Sequence, residues 1–176
     1  QGEVVAFSGR ALGNDEPKYL NTPETPIFNK SKLLFNFHQA RASIRKKEFV
    51  TLYDGFADVI SAAEAGVDNG IATMGTSLTE EHIQILKRNC NEVLLCFDSD
   101  KAGIEAANRA ANMLFQEGLT IKVAYMPDGL DPDEYITKYG PQSFMQDVIG
   151  NSLTYLAFKM RYLRKGRNLN NEGDKI

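Results

Sequence analysis

"LLCFDSDKAG", residues 94–103, runs an apolar stretch straight into two aspartates set one residue apart. Leu94–Phe97 reads as the end of a buried strand, and Lys101 onward as the start of a helix, with Asp98 and Asp100 at the junction. Two carboxylates this close repel each other unless a cation sits between them. The competing reading is a helix cap, in which Asp100 accepts from the first-turn N–H groups and complements the helix dipole. Taken alone, the stretch leaves both readings open.

The surrounding sequence supplies the fold. "EVLLCF" (92–97) is so apolar that both faces of its strand must be covered. Before it come a strand "FVTLY" (49–53), a helix over about 56–65 that Gly66 terminates, and a strand "GIATM" (70–74). A second helix lies in "GTSLTEEHIQILKRN", where Ser77 and Glu80 have capping-box spacing. After the paired aspartates comes a helix in which Ala102, Ala106, Ala110 and Leu114 form a small-residue stripe suited to close packing on a sheet. A strand "TIKVAYM" (120–126) follows. This alternation predicts an α/β fold: a four-stranded parallel sheet with right-handed crossovers and helices on both faces.

Outside this unit, residues 11–32 are dense in Pro, Asn, Asp and Thr and predict turns and irregular backbone. A helix is expected from Ser31 to about Lys46, ending at the basic cluster "RKK". Beyond Pro127 come a turn with a short helix, then helices over roughly 141–149 and 152–164. The last mixes Tyr155, Phe158 and Tyr162 with Lys159, Arg161 and Arg164. That pattern could touch nucleic acid, but it more often packs its aromatics inward.

With 43% apolar and 24% charged residues among 176, the chain has the composition of an ordinary globular protein. No apolar run is long enough to cross a bilayer and nothing resembles a signal peptide. Cys90 and Cys96 predict two buried, reduced thiols rather than a disulfide framework. The net charge of −3 hides an asymmetry. Residues 1–47 carry eight Lys/Arg against four Asp/Glu, residues 48–150 six against seventeen, and residues 151–176 six against two. Basic flanks can track a polyanion, whereas the acidic middle repels one unless cations intervene. The first residues read as the middle of a strand and the last as a helix just starting, so the expectation is a piece of a longer protein.

In open parallel sheets ligands bind beyond the carboxyl ends of the strands. Asp54 ends the first strand of the alternating unit, Asp98 and Asp100 the third, and Asp131 and Asp133 in "LDPDE" follow the fourth. Five carboxylates at one rim, with no His or Cys beside them, predict a hard divalent cation, Mg²⁺ or Mn²⁺. "DSDKAG" opens like an EF-hand loop, but its twelfth position is Arg109 where a bidentate Glu is required. A receiver-type signalling domain would place its paired acids near the first strand rather than the third. There is no G-x-x-x-x-G-K-[ST] phosphate loop. His38 and His82 are isolated, with His82 expected to be structural, and Ser8, Ser77 and Cys96 lack the context of a nucleophile.

The order of these blocks resembles the catalytic core of bacterial DnaG-type primases, which is built around a Toprim domain. "VVAFSGRALGNDEPKYLNTPETPIFNKSKLLFN" is similar to the end of that family's N-terminal core subdomain and its link to Toprim. "DGFADV", "ATMGTSLTEEHI", "CFDSDKAG" and "PDGLDPDEYI" are similar to the successive Toprim blocks and the segment after them. The resemblance implies four parts: the end of the N-terminal subdomain and a basic linker over 1–47, Toprim over 48–127, the acidic DPD segment with short helices over 128–150, and the start of a helical subdomain over 151–176. It further implies that Asp98, Asp100, Asp131, Asp133 and Asp58 bind metal, and that Arg10, Lys18, Asn21 and Lys30 hold template strand and nucleotide. Where the family normally has a catalytic Glu, this chain has Asp54, whose reach is shorter by one methylene, about 1.5 Å.

The activity implied is metal-dependent nucleotidyl transfer making RNA primers from NTPs on single-stranded DNA, in the bacterial cytoplasm at the nucleoid-associated replication machinery. Zinc and the contact with the replicative helicase would belong to terminal domains not in this sequence. Two rivals are another Toprim enzyme (a nuclease or topoisomerase) and a fragment that binds metal, nucleotide or DNA without turnover. The "SGRALGN" and "PKYLNTPET" blocks speak for a primase.

Overall fold

The computed structural model of the chain describes residues 3–11, 16–17 and 19–164, with the backbone alone of Asp128. Two short strands, β1 (Ser8–Arg10) and β2 (Tyr19–Asn21), pair antiparallel with Arg10 opposite Tyr19 and Ser8 opposite Asn21. Turns then lead to α1 (Phe37–Lys47). The main unit follows as β3 (Phe49–Tyr53), α2 (Phe56–Glu64), β4 (Gly70–Ala72), α3 (Glu80–Lys87), β5 (Glu92–Cys96), α4 (Lys101–Gln116) and β6 (Thr120–Val123). The chain continues as α5 (Pro132–Tyr139), a one-turn α6 (Pro141–Ser143), a π-helical turn (Phe144–Ile149), β7 (Leu153–Thr154) and α7 (Tyr155–Arg164).

The sheet order is β4-β3-β5-β6-β7. The four expected parallel strands are present, so the α/β reading holds. The addition is β7, which pairs antiparallel to β6 with Thr154 opposite Lys122. Its two residues carry no period-2 pattern, which is why the sequence predicted continuous helix there. Strand side chains alternate between two cores. Val50, Leu52, Val93 and Leu95 join α1, α3, α4 and α7 on one face. Tyr53, Leu94 and Cys96 join α2, α5 and the π-helical turn on the other. Truncating Leu95 (fully buried) to Ala would cost about 2–5 kcal/mol through lost transfer energy and a cavity. Both cysteines are free and buried, as expected. Among the described residues, no helix is long and apolar enough to cross a membrane.

Several boundaries differ from the sequence expectations. The helix predicted from Ser31 starts at Phe37, because Phe35 is extended and bridges Ala72 through two backbone hydrogen bonds of 2.8 and 3.3 Å. Residues Arg45–Lys47 belong to its last turn, where positive charge favours the helix dipole, rather than stopping it. The cap of α3 is Thr79, not Ser77: its Oγ1 accepts from His82 N–H (3.2 Å) while His82 Nδ1 accepts from Thr79 N–H (3.3 Å). The strands "GIATM" and "TIKVAYM" are shorter than predicted. In α4 the face on the core is Gly103, Ile104, Ala107, Ala110, Ala111 and Leu114, whereas Ala102 is exposed. In α7 the aromatics do pack inward: Phe158 is buried, with Tyr155 and Tyr162 against the same core.

Candidate active site

Register brings the acids together. β3 and β5 end level, Tyr53 opposite Cys96, so Asp54 and the Phe97–Asp98 turn leave the sheet at one edge. Gly103 lets α4 begin there, since a Cβ at this position would lie 2.1 Å from the Asp98 carbonyl oxygen. Ser99, between the two aspartates, is buried and ties in the next element. Its Oγ accepts from Met126 N–H (2.9 Å) and its N–H donates to the Leu130 carbonyl (3.2 Å). That clamp carries Asp131, the N-cap of α5, to the same rim. Asp58 arrives from the first turn of α2.

The charges are in conflict as they stand. Burial, then the neighbouring charges of Asp54, Asp131, Asp100 and Glu134, pushes Asp98 up to about 6. Burial and the charges of Asp131, Asp98 and Asp133 push Asp58 up to about 7, against a stabilising backbone hydrogen bond from Asp133. Asp54 is raised by burial and by Asp100, with Arg109 acting in opposition. Carboxyls raised by burial and by one another's charge mark a place that a positive charge would relieve. Asp100 also caps α4, accepting from Gly103 N–H at 2.7 Å, and Asp131 caps α5, accepting from Glu134 N–H at 2.7 Å. At Asp100 and Asp131, cap and cluster member are the same residue. Among the described residues, no three acidic, His or Cys side chains are drawn together as a finished metal cage.

Two clefts meet at this edge, and Asp54 and Asp98 line both. The smaller, about 260 Å³, lies between Asp58, Asp131 and Asp133 on one side and Tyr19, Asn21 and Phe56 on the other. The larger, about 670 Å³, runs between Asp100 and Thr76, Ser77, Ala106 and Arg109.

Known proteins share both the sequence pattern and the fold of this chain. A family model described as Toprim-like matches residues 51–136, and one for the N-terminal domain of the DNA primase catalytic core matches residues 1–41. A DNA primase of Halalkalibacterium halodurans is 58% identical over 176 residues, all of this chain. A solved structure described as the DnaG catalytic core superimposes with a TM-score of 0.84 at 35% identity, covering 99% of this chain and 57% of that one. The chain belongs to the bacterial DnaG-type primases. A DnaG primase catalytic domain solved with single-stranded DNA gives a TM-score of 0.84 at 34% identity, covering 99% of this chain and 56% of that one. The chain spans 29% of the length of the Halalkalibacterium relative.

On this primase-family frame, Asp54, Asp58, Asp98, Asp131 and Asp133 line the smaller cleft and Asp100 the larger. Asn21 faces the smaller cleft and accepts from Ser8 Oγ at 2.6 Å. Arg10 stands over the Tyr19 ring, 5.7 Å from its centroid, and 3.7 Å from Asp133. Lys30 lines neither cleft, and its backbone is what the fold uses: its N–H donates to Glu24 and its carbonyl faces His82. Lys18 lies outside the described residues. Arg109 was missed by sequence reading, although Ala102, Ala106, Arg109 and Met113 recur at helical spacing on one face. The alanines drew the reading toward sheet packing, while Ala106, Arg109 and Met113 in fact line the larger cleft with Ala102.

Proposed function

We propose that this chain carries the nucleotidyl-transfer centre of a DNA primase, which makes short RNA primers from nucleoside triphosphates on a single-stranded DNA template. The observation that carries this reading is the convergence of Asp54, Asp58 and Asp98 at the carboxyl edge of a parallel sheet, with a cleft opening on either side. A transfer reaction needs two reactants on opposite sides of one charge-compensating centre, and Asp54 and Asp98 border both spaces. The match of residues 1–41 to the primase core stands against a nuclease or topoisomerase.

The donor set is all oxygen, and burial together with mutual repulsion raises its carboxyls, so the residues fit a hard divalent cation. Asp54, Asp58 and Asp98, with Asp100 and Asp131, would hold Mg²⁺ or Mn²⁺. When bound, such an ion shields phosphate charge and acidifies an attacking hydroxyl. The chain's own contribution is positional. Arg109 lines the larger cleft and Arg10 lies against Tyr19 and Asp133 of the smaller one, each a cation available to phosphate groups, and the rings of Tyr19 and Phe56, packed edge to face at 5.7 Å, wall the smaller cleft. Asp54 would approach that ion with a reach about 1.5 Å shorter than Glu would have. The same reading places the protein in the bacterial cytoplasm, beside the replication machinery and its helicase.

Primer synthesis on a single-stranded template, by the chain and by Asp54→Glu, tests this reading. Product that rises with the longer side chain supports it. Metal binding without product from either points to a binding fragment. Metal binding is read separately: Mn²⁺ should raise the melting temperature of the chain, and Asp98→Asn should abolish the rise. No response in the unsubstituted chain would refute the metal assignment.

A further inference from the structure

Asp133 has both carboxylate oxygens engaged by residues from other elements. The Ser61 hydroxyl, from α2, donates to Oδ1, and Oδ2 faces the Arg10 guanidinium at 3.7 Å. Arg10 in turn lies over the Tyr19 ring. Three elements distant in sequence (β1, α2 and the first turn of α5) are thereby joined through one carboxylate. Asp133 and Tyr19 both line the smaller cleft, so the guanidinium they contact lies beside it.

We infer that Ser61 and Asp133 are positioning residues that hold Arg10 beside the smaller cleft, oriented toward a phosphate of the single-stranded DNA backbone. This rests on the primase reading and assigns Asp133 to orientation rather than to the metal. Ser61 fixes the rotamer of Asp133, and Asp133 fixes the in-plane direction of the guanidinium. Tyr19 supports its face and leaves the remaining N–H groups for a phosphate, where a planar donor fork gains from a set orientation. Arg10 and Asp133 are both partly exposed, so the pair contributes through direction more than through stability.

Charge arithmetic alone and the relay predict opposite signs. Removing a carboxylate near a polyanion should tighten binding, because repulsion falls. If Asp133 orients Arg10, Asp133→Asn weakens binding instead.

The test is single-stranded oligonucleotide affinity by fluorescence anisotropy, in the chain and its variants. Asp133→Asn should weaken binding about fivefold, Ser61→Ala about two- to threefold, and Ser61→Thr, which keeps the hydroxyl, should restore it. In an Arg10→Ala background Asp133→Asn should have no further effect, since coupled residues are not additive. Mn²⁺ stabilisation should survive Asp133→Asn. Tighter or unchanged binding, an equal loss without Arg10, or loss of the Mn²⁺ response would overturn the assignment. A ligand-free readout keeps it testable if the chain binds no DNA, a result that would count against the template reading. The Arg10 Nε–H NMR signal should shift in Asp133→Asn and Ser61→Ala but not in Ser61→Thr. An unmoved signal would refute the relay itself.

Discussion

The His82 imidazole meets the Lys30 carbonyl at 3.0 Å across 52 residues of sequence. Its Nδ1 already accepts from Thr79 N–H, so Nε2 carries the proton and donates to Lys30 and, at 3.1 Å, to Leu33. The Thr79 hydroxyl donates to the Ser31 carbonyl at 2.7 Å. The cap of α3 is therefore also the clamp that holds the basic segment against the sheet unit.

This clamp sets a pH dependence. His82 is fully buried, and burial depresses its pKa below the ordinary 6.5 despite the two carbonyls. A protonated ring would turn Nδ1 into a donor facing the Thr79 N–H. The unfolded chain therefore binds the proton more readily than the folded one. The stability due to neutral His82 is complete above the ordinary value and is lost as pH falls below it. Melting temperatures between pH 5 and 8 should fall more steeply on the acid side for the parent than for His82→Gln. Parallel curves would contradict the role of the ring.

Ser99 offers a second prediction. Ser99→Ala removes the acceptor of the Met126 N–H, leaving a buried donor unpaired at a cost of about 1–3 kcal/mol. The bond lost is the side-chain half of the clamp that carries Asp131, the backbone half to Leu130 being kept, so the variant should also bind Mn²⁺ more weakly. Denaturant unfolding and the Mn²⁺ melting shift check the two effects separately. A loss of stability with full metal response would show that Asp131 is placed by other contacts.

Arg109 gives a third. Arg109 opposes the upward shift of Asp54 and lines the larger cleft, yet no acidic or basic motif of the sequence marks it. Arg109→Ala should weaken polyanion binding and lower the salt slope by about one, with Arg109→Lys retaining most of both. An unchanged slope would remove the larger cleft from the path of phosphates.

The alternating strands, the apolar centre of β5 and the order of the acids were legible in the sequence because they depend on local period and spacing. The short strand β7 was not, since two residues of antiparallel pairing leave no pattern. The late start of α1 was hidden because a single bridge between Phe35 and Ala72, decided by the partner strand, overrides local helix preference. The capping box was displaced by two residues, because Thr79 also finds the Ser31 carbonyl and Ser77 has no such contact among the hydrogen bonds of this region.

"DSDKAG" states both halves of the outcome. Sequence alone determined that carboxylates would stand where β5 meets α4, since strand, turn and helix follow from nearest neighbours in the chain. Only the tertiary structure decided which acids share a charge, which are occupied as caps, and that Asp133 answers to Ser61 and Arg10. Those relations depend on distances between segments far apart in sequence, set by strand register and by the Ser99 and His82 clamps, and such distances leave no local periodic trace.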